Sequence, residues 1–129
     1  MNDLPARRHY SPAEANAALA TLRPLLERLQ EARDQLTDEE AHEALSDASG
    51  GNGGGEHGVQ VGEAFLEVRR ILTALQEAGI VLRDIDRGLV DFPSTRDGRE
   101  VYLCWELGED EVAWWHDPDA GFGGREPLD

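Results

Sequence analysis

The chain of 129 residues carries 27 acidic residues against 12 basic ones, a net charge of −15, which disfavours nucleic acid as a partner because phosphate backbones are bound through Lys and Arg. Its length suits one domain, residues 1–129, with one hydrophobic core. The single cysteine, Cys104, excludes an intramolecular disulfide and a thiolate zinc cluster, and since neither a secretory signal nor a bilayer-spanning apolar run is visible, we expect a cytoplasmic protein without membrane contacts.

The first predicted element is a helix over residues 10–36. Ser11 followed by Pro12 and Glu14 is the pattern of a helix start with a capping box. Behind this start, leucines and alanines recur every three or four residues and form one apolar face. Residues 37–58 are acidic and then rich in glycine. We expect them to form a flexible linker, because glycine raises the entropic cost of a fixed conformation.

A second helix is predicted over residues 59–78, again from apolar residues at helical spacing, with Gly79 as its stop. Short β-type runs separated by turn residues follow over residues 79–117, and residues 118–129 form a tail. Because both helices precede all the strands, the pattern predicts an α+β fold. In it, a long antiparallel helix pair packs on a small four-stranded antiparallel meander sheet.

The turn signals also predict the pairing of the strands. Asp97-Gly98 is typical of a two-residue hairpin turn, which places Phe92 opposite Leu103. A four-residue loop at 108–111 would place Leu103 opposite His116. Because side chains alternate along a strand, this register turns His116 toward the helices and Trp115 away from them.

The outer face of the predicted sheet then carries Asp91, Tyr102, Cys104 and Trp115. Such a face is more apolar than the surface of most monomers. We therefore expect it to be covered, either by a partner or by the tail, in which Phe122 is the natural anchor. This predicts partner binding, as a homodimer or with another protein, through Tyr102, Cys104, Trp115 and Phe122.

A divalent-metal site is the alternative. His116 lies near three carboxylates that could serve as ligands: Asp91, Glu109 and Asp117. The predicted register separates His116 from Asp91, which favours a hydrogen-bonded core histidine over a ligand. Cys104 is expected to be inert packing, because no sequence feature lowers the pKa of its thiol.

Several short motifs stand out along the chain: residues 86–93 (Asp-Arg-Gly-Leu-Val-Asp-Phe-Pro), 103–105 (Leu-Cys-Trp), 107–109 (Leu-Gly-Glu), 115–116 (Trp-His) and 121–122 (Gly-Phe) with Arg125, after an opening at 10–11 (Tyr-Ser) and 14–16 (Glu-Ala-Asn). Together they resemble a bacterial family known as domain of unknown function 2203. The resemblance implies a helix pair with a sheet and supplies no activity. It makes the matched polar positions candidates for the family's role: Glu14, Asp91, Cys104, Glu109, His116 and Arg125.

On sequence grounds the leading hypothesis is an interaction or regulatory module that dimerises or docks a partner through the aromatic sheet face or through spare helix surface. The competing hypothesis is a divalent-metal-binding protein or metal-dependent enzyme built on His116. No catalytic motif stands out, so the sequence favours a non-enzymatic protein and leaves the enzyme as the alternative.

Overall fold

The computed structural model describes residues 4–48 and 56–128, with side chains over 4–38 and 59–128. Within these ranges two helices precede an antiparallel sheet, which agrees with the predicted α+β fold. The helices are α1 (Pro12–Ala48) and α2 (Glu56–Glu77). The strands are β1 (Val81–Asp84), β2 (Leu89–Arg96), β3 (Arg99–Glu106), β4 (Trp114–His116) and β5 (Glu126–Pro127), paired in that order along the sheet.

Helix α1 begins at the predicted capping box. The backbone N–H of Ser11 donates to Glu14 Oε1 at 2.9 Å, and the backbone N–H of Glu14 donates to Ser11 Oγ at 3.1 Å. The helix continues to Ala48, beyond the predicted end at residue 36, because residues 37–48 are rich in the helix formers Glu, Ala and Leu. The prediction of a linker over 37–58 is therefore wrong for residues 37–48 and 56–58, while its glycine-rich centre lies outside the described residues.

The two helices pack side by side in opposite directions. Arg28 Nε of α1 lies 3.0 Å from Glu67 Oε1 of α2, and near the start of α1 the hydroxyl of Tyr10 donates to the carbonyl oxygen of Ala78 at 2.6 Å. The start of α1 thus lies beside the end of α2, and the two helices are antiparallel. In the described part of the chain, neither helix combines the length and the apolar character that a bilayer span requires.

The hairpin of β2 and β3 has the predicted register. Both residues of the turn have left-handed backbones, with φ of 53° at Asp97 and 80° at Gly98, as a two-residue hairpin turn requires. Phe92 lies opposite Leu103. Alternation then sends these two side chains to the core and Asp91 and Cys104 to the outer face.

The predicted register of β4 is wrong by one residue. Trp115, not His116, lies opposite Leu103, and His116 lies opposite Tyr102. The connection over residues 107–113 is longer than a four-residue loop because α1 holds it: the Val112 backbone N–H donates to Asn16 Oδ1 at 2.7 Å instead of pairing with Leu107. A shift of one residue exchanges the faces of every side chain, so Trp115 enters the core and His116 faces outward.

The sheet has a fifth strand that the sequence did not reveal. After a 3₁₀ helix at Phe122–Gly124, the tail returns along β4 and forms β5, with Trp115 opposite Glu126. The backbone N–H of Leu128 donates to the carbonyl oxygen of Ala113 at 2.8 Å. The tail predicted for residues 118–129 is thus partly strand and lies beside the outer face of the sheet.

One core fills the space between the helices and the inner face of the sheet. Trp105 is fully buried and Trp115 is 8% exposed. They pack in one cluster with the inner residues of both helices and of the sheet: Leu19, Leu22, Leu26, Leu29, Ile71, Leu75, Val90, Phe92 and Leu103. The helices thus cover the inner face of the sheet, and the tail lies over part of its outer face.

Candidate metal centre on the outer face of the sheet

Three side chains that can bind a metal converge under the tail. Asp91 of β2, Cys104 of β3 and His116 of β4 each offer one ligand atom, and these atoms all lie within 4.8 Å of one another. Exposure is 2% for Asp91, 1% for Cys104 and 2% for His116. We call Asp91, Cys104 and His116 the buried triad; its members come from three adjacent strands at positions that point to the same face.

The imidazole of His116 is held from both sides. Its Nδ1 lies 2.8 Å from the backbone carbonyl oxygen of Asp117, and its Nε2 lies 3.0 Å from Asp91 Oδ1. A carbonyl oxygen accepts only, so Nδ1 carries the proton and donates it. This bond directs Nε2 into the triad, and an Nδ1–H bond to a backbone carbonyl is the usual support of a histidine that binds metal through Nε2.

The carboxylate of Asp91 contacts two side chains, His116 and Arg83. While Oδ1 faces His116, Oδ2 accepts from Arg83 Nε at 2.8 Å. This hydrogen bond raises the pKa of Arg83, so Arg83 stays charged. The guanidinium also lies over the ring of Tyr102, 5.1 Å from its centroid. Sequence reasoning did not single out Arg83. Its partner Asp91 lies on the neighbouring strand, eight residues further along the chain, and no local motif links the two.

The thiol of Cys104 is protonated at neutral pH. Its pKa is raised to about 11, mainly by burial and also by the nearby charge of Asp91, against the lowering effect of Arg125. Arg125 Nη1 lies 3.8 Å from Cys104 Sγ. Glu109 fixes this arginine with two bonds, at 3.2 and 2.8 Å. The expectation of an unreactive Cys104 agrees with this pKa; a metal ion would have to displace the thiol proton.

The tail forms the roof of a cavity of about 320 Å³ that touches all three triad residues. The roof consists of residues 118–122, and Arg83 and Leu89 complete the walls. Phe122 is held between two guanidinium groups, with Arg87 at 4.1 Å and Arg125 at 4.2 Å from the ring centroid. The tail thus covers part of the face that was predicted to need a cover.

The predicted partner-binding set does not form one exposed face. Trp115 lies in the core on the opposite side of the sheet, Cys104 is buried, and Tyr102 and Phe122 are half-buried. The prediction of a docking surface rested on the register of β4, so Trp115 no longer supports it. Trp114 takes the outer position instead, 4.7 Å from the guanidinium of Arg125.

The predicted metal ligands are brought together only in part. Asp91 meets His116, contrary to the expected separation of the two side chains. Glu109 binds Arg125, and the carboxylate of Asp117 pairs with Arg99 at 2.8 Å, so neither carboxylate belongs to the triad. Glu14 caps α1 and pairs with Arg7, a structural role.

Sequence reasoning did not reveal Cys104 as a ligand, because the other two ligand atoms of the triad reach it from two other strands. The triad has the donor set of a transition-metal site. Sulfur, nitrogen and oxygen together suit Zn²⁺, Co²⁺ or Fe²⁺ better than Mg²⁺ or Ca²⁺, which prefer oxygen alone. Thiol catalysis is less well supported, because a nucleophilic cysteine needs a lowered pKa and a base beside it. Here the pKa of Cys104 is raised, and the two nitrogens of His116 face Asp117 and Asp91.

A larger groove of about 680 Å³ lies between the two helices. Among the residues with described side chains, its lining includes Glu67, which pairs with both Arg28 and Arg70, and contains neither cysteine nor histidine. This agrees with the solvated helix faces typical of such charge spacing. The volume of this groove is therefore not evidence of a catalytic or metal site.

Comparison with known proteins supplies a family. A family model described as an uncharacterized conserved protein, DUF2203, matches residues 8–128. No curated protein and no solved structure matches the chain. Of the six polar candidates taken from the family resemblance, five belong to the buried triad or connect with it: Asp91, Cys104, Glu109, His116 and Arg125.

Proposed function

The chain belongs to the DUF2203 family, and we propose that it binds one divalent transition-metal ion of the zinc class through Asp91 Oδ1, Cys104 Sγ and His116 Nε2. The observation that carries this proposal is the convergence of three chemically different ligand atoms within 4.8 Å at almost fully buried positions. Three protein ligands leave one position of a tetrahedral ion open, which is the arrangement of catalytic zinc sites.

The groups behind the triad support the same reading. Well-built metal sites hold each ligand with a further hydrogen bond, and here every triad member has one such neighbour. Asp117 supports His116, Arg83 supports Asp91, and Arg125 lies beside Cys104. The charge of Arg125 favours a thiolate over a thiol, which is the form that binds metal.

The competing reading is a closed ion-pair network of structural value only. Among the described residues, every buried side-chain nitrogen and oxygen has a hydrogen-bond partner, so Asp91 and His116 are already paired without an ion. The two readings differ in composition: a bound ion is stoichiometric, and a structural network contains none. Measurement of the metal therefore separates them.

Elemental analysis of protein purified without an affinity tag tests the proposal. We expect close to one equivalent of zinc or a related ion in the wild type and its loss in Asp91→Asn and His116→Ala. His9→Ala is the matched control, because His9 is half-exposed and bonds Glu100, which is not a member of the triad. Protein that takes up no zinc on refolding with excess metal, or that retains it in His116→Ala, would contradict the proposal.

Self-association through α2 is the second candidate function. Four large apolar side chains of this helix are exposed, Val59 at 61%, Phe65 at 54%, Leu66 at 53% and Leu72 at 42%. Val61, Phe65, Val68 and Leu72 follow the four-three-four spacing of a coiled-coil seam. The seams of two copies of the chain can pack against each other across a two-fold axis. We therefore retain the homodimer as a proposal and place its interface on α2.

A further inference from the structure

The cavity over the buried triad has the features of a ligand site. We infer that it takes a small organic carboxylate, which binds the open position of the metal through one oxygen and Arg83 through the other; this inference rests on the proposed metal site. The cavity is lined by the buried triad, by the charged guanidinium of Arg83 and by apolar side chains.

The position of the cavity fixes where an open coordination site would face. Asp91, Cys104 and His116 form its floor and the tail its roof, so an ion bound to the floor has the cavity on its remaining side. A volume of about 320 Å³ is at the lower end of the range of small-molecule pockets. The ligand is therefore small.

Arg83 gives the cavity a preference for anions. Asp91 accepts from its Nε–H, which leaves the terminal N–H groups for a further acceptor. A carboxylate fits the planar fork of a guanidinium. Asp91 and a Cys104 thiolate together balance a divalent ion, so the charge of Arg83 remains to attract an anion; Asp119, the other acid of the lining, is exposed on the roof.

Leu89 and Phe122 give part of the cavity wall an apolar surface. Leu89 is buried, and the ring of Phe122 is fixed by its contacts with Arg87 and Arg125. Such a wall suits the hydrocarbon part of a ligand whose charged end lies at the metal. A carboxylate with a compact apolar body, of which benzoate is the simplest probe, satisfies both ends.

The test uses Co²⁺ as a coloured substitute for zinc. Benzoate is titrated into the cobalt-loaded protein, and its binding is followed by the visible absorption of the ion. We expect a saturable spectral change with benzoate and binding of the uncharged benzamide weaker by about ten-fold or more. Arg83→Gln, at cobalt concentrations that saturate the variant, weakens benzoate by about ten-fold. Arg70→Gln, the same change on a distant surface, leaves the affinity as in the wild type.

A Phe122 variant tests the apolar part of the cavity, and several results would overturn the inference. Phe122→Ala should weaken benzoate more than acetate, because acetate has no ring to lose contact with Phe122. A cobalt-loaded wild type that ignores benzoate, binds benzamide equally well, or loses nothing in Arg83→Gln overturns this inference and leaves the metal site standing. A protein that binds no cobalt overturns both.

Discussion

His116 Nε2 lies 3.0 Å from Asp91 Oδ1, although the strands that carry them are not neighbours. Asp91 is on β2 and His116 on β4, and both pair with β3 between them. Their contact therefore crosses over β3, where Cys104 lies opposite Asp91 and Tyr102 opposite His116. This crossing assembles the buried triad, and it exists only because β4 has the register that turns His116 outward.

The corrected register predicts unequal roles for two neighbouring tryptophans. Trp115→Ala should lower the free energy of unfolding by about 3–5 kcal/mol, because it empties a core position. Trp114→Ala should cost clearly less, about 1–2 kcal/mol, since Trp114 is half-buried on the outer face. Urea denaturation of both variants measures the difference. Equal costs, or a larger cost for Trp114→Ala, would argue for the register that places Trp114 inward.

Cys104 should resist alkylation in the native protein without metal. Burial raises the pKa of its thiol to about 11, so its thiolate fraction at neutral pH is about 100-fold below that of a thiol with the ordinary value near 9. Iodoacetamide labelling followed by mass spectrometry should show slow native and rapid denatured reaction. The native rate should rise with pH toward 11. Fast native labelling at neutral pH would mean that the thiol is activated.

The capping box predicts a local stability change at the start of α1. Ser11→Ala removes the acceptor of the Glu14 backbone N–H and should cost about 1 kcal/mol in free energy of unfolding. Ser11→Gly is the control, expected to cost only a few tenths of a kcal/mol. The pKa of Glu14 is lowered, first by the Ser11 backbone bond, so its contribution is present above the ordinary carboxyl pKa and is lost as pH falls through the lowered value. A Ser11→Ala protein as stable as the wild type would show that the cap contributes nothing.

Dimerisation through α2 makes a prediction independent of the metal. Phe65→Glu should convert a dimer into a monomer in light scattering, because it places a charge in the centre of the apolar stripe. Ala20→Glu, the same charge added at an exposed position of α1, should leave the mass unchanged. A wild type that is monomeric at high concentration would remove this proposal.

Sequence patterns predicted what is decided locally. Asp97-Gly98 determined the β2–β3 register because a two-residue turn leaves no freedom in the pairing of its strands. The start of α1 followed from four residues, and the separation of Asp91 from the core followed from alternation along β2. In each case the deciding contacts lie within a few residues of one another.

Long-range contacts account for what the sequence could not predict. The register of β4 depends on Asn16, which binds Val112 from α1, and on Arg23, which donates to the carbonyl oxygens of Glu109 and Asp110 at 3.2 and 2.6 Å. The glycines after residue 48 favour a linker, and they mask the helix propensity of residues 37–48 in the sequence. The triad itself combines three strands, so it became visible only with the correct pairing.

The most direct test of the metal site is an anomalous difference map at the zinc absorption edge from crystals of zinc-loaded protein. We expect one strong peak between Asp91 Oδ1, Cys104 Sγ and His116 Nε2, at about 2.0–2.3 Å from each atom. The Nδ1 bond of His116 to Asp117 should remain in place. A map without a peak at this position, in which His116 still bonds Asp91 directly, would contradict it.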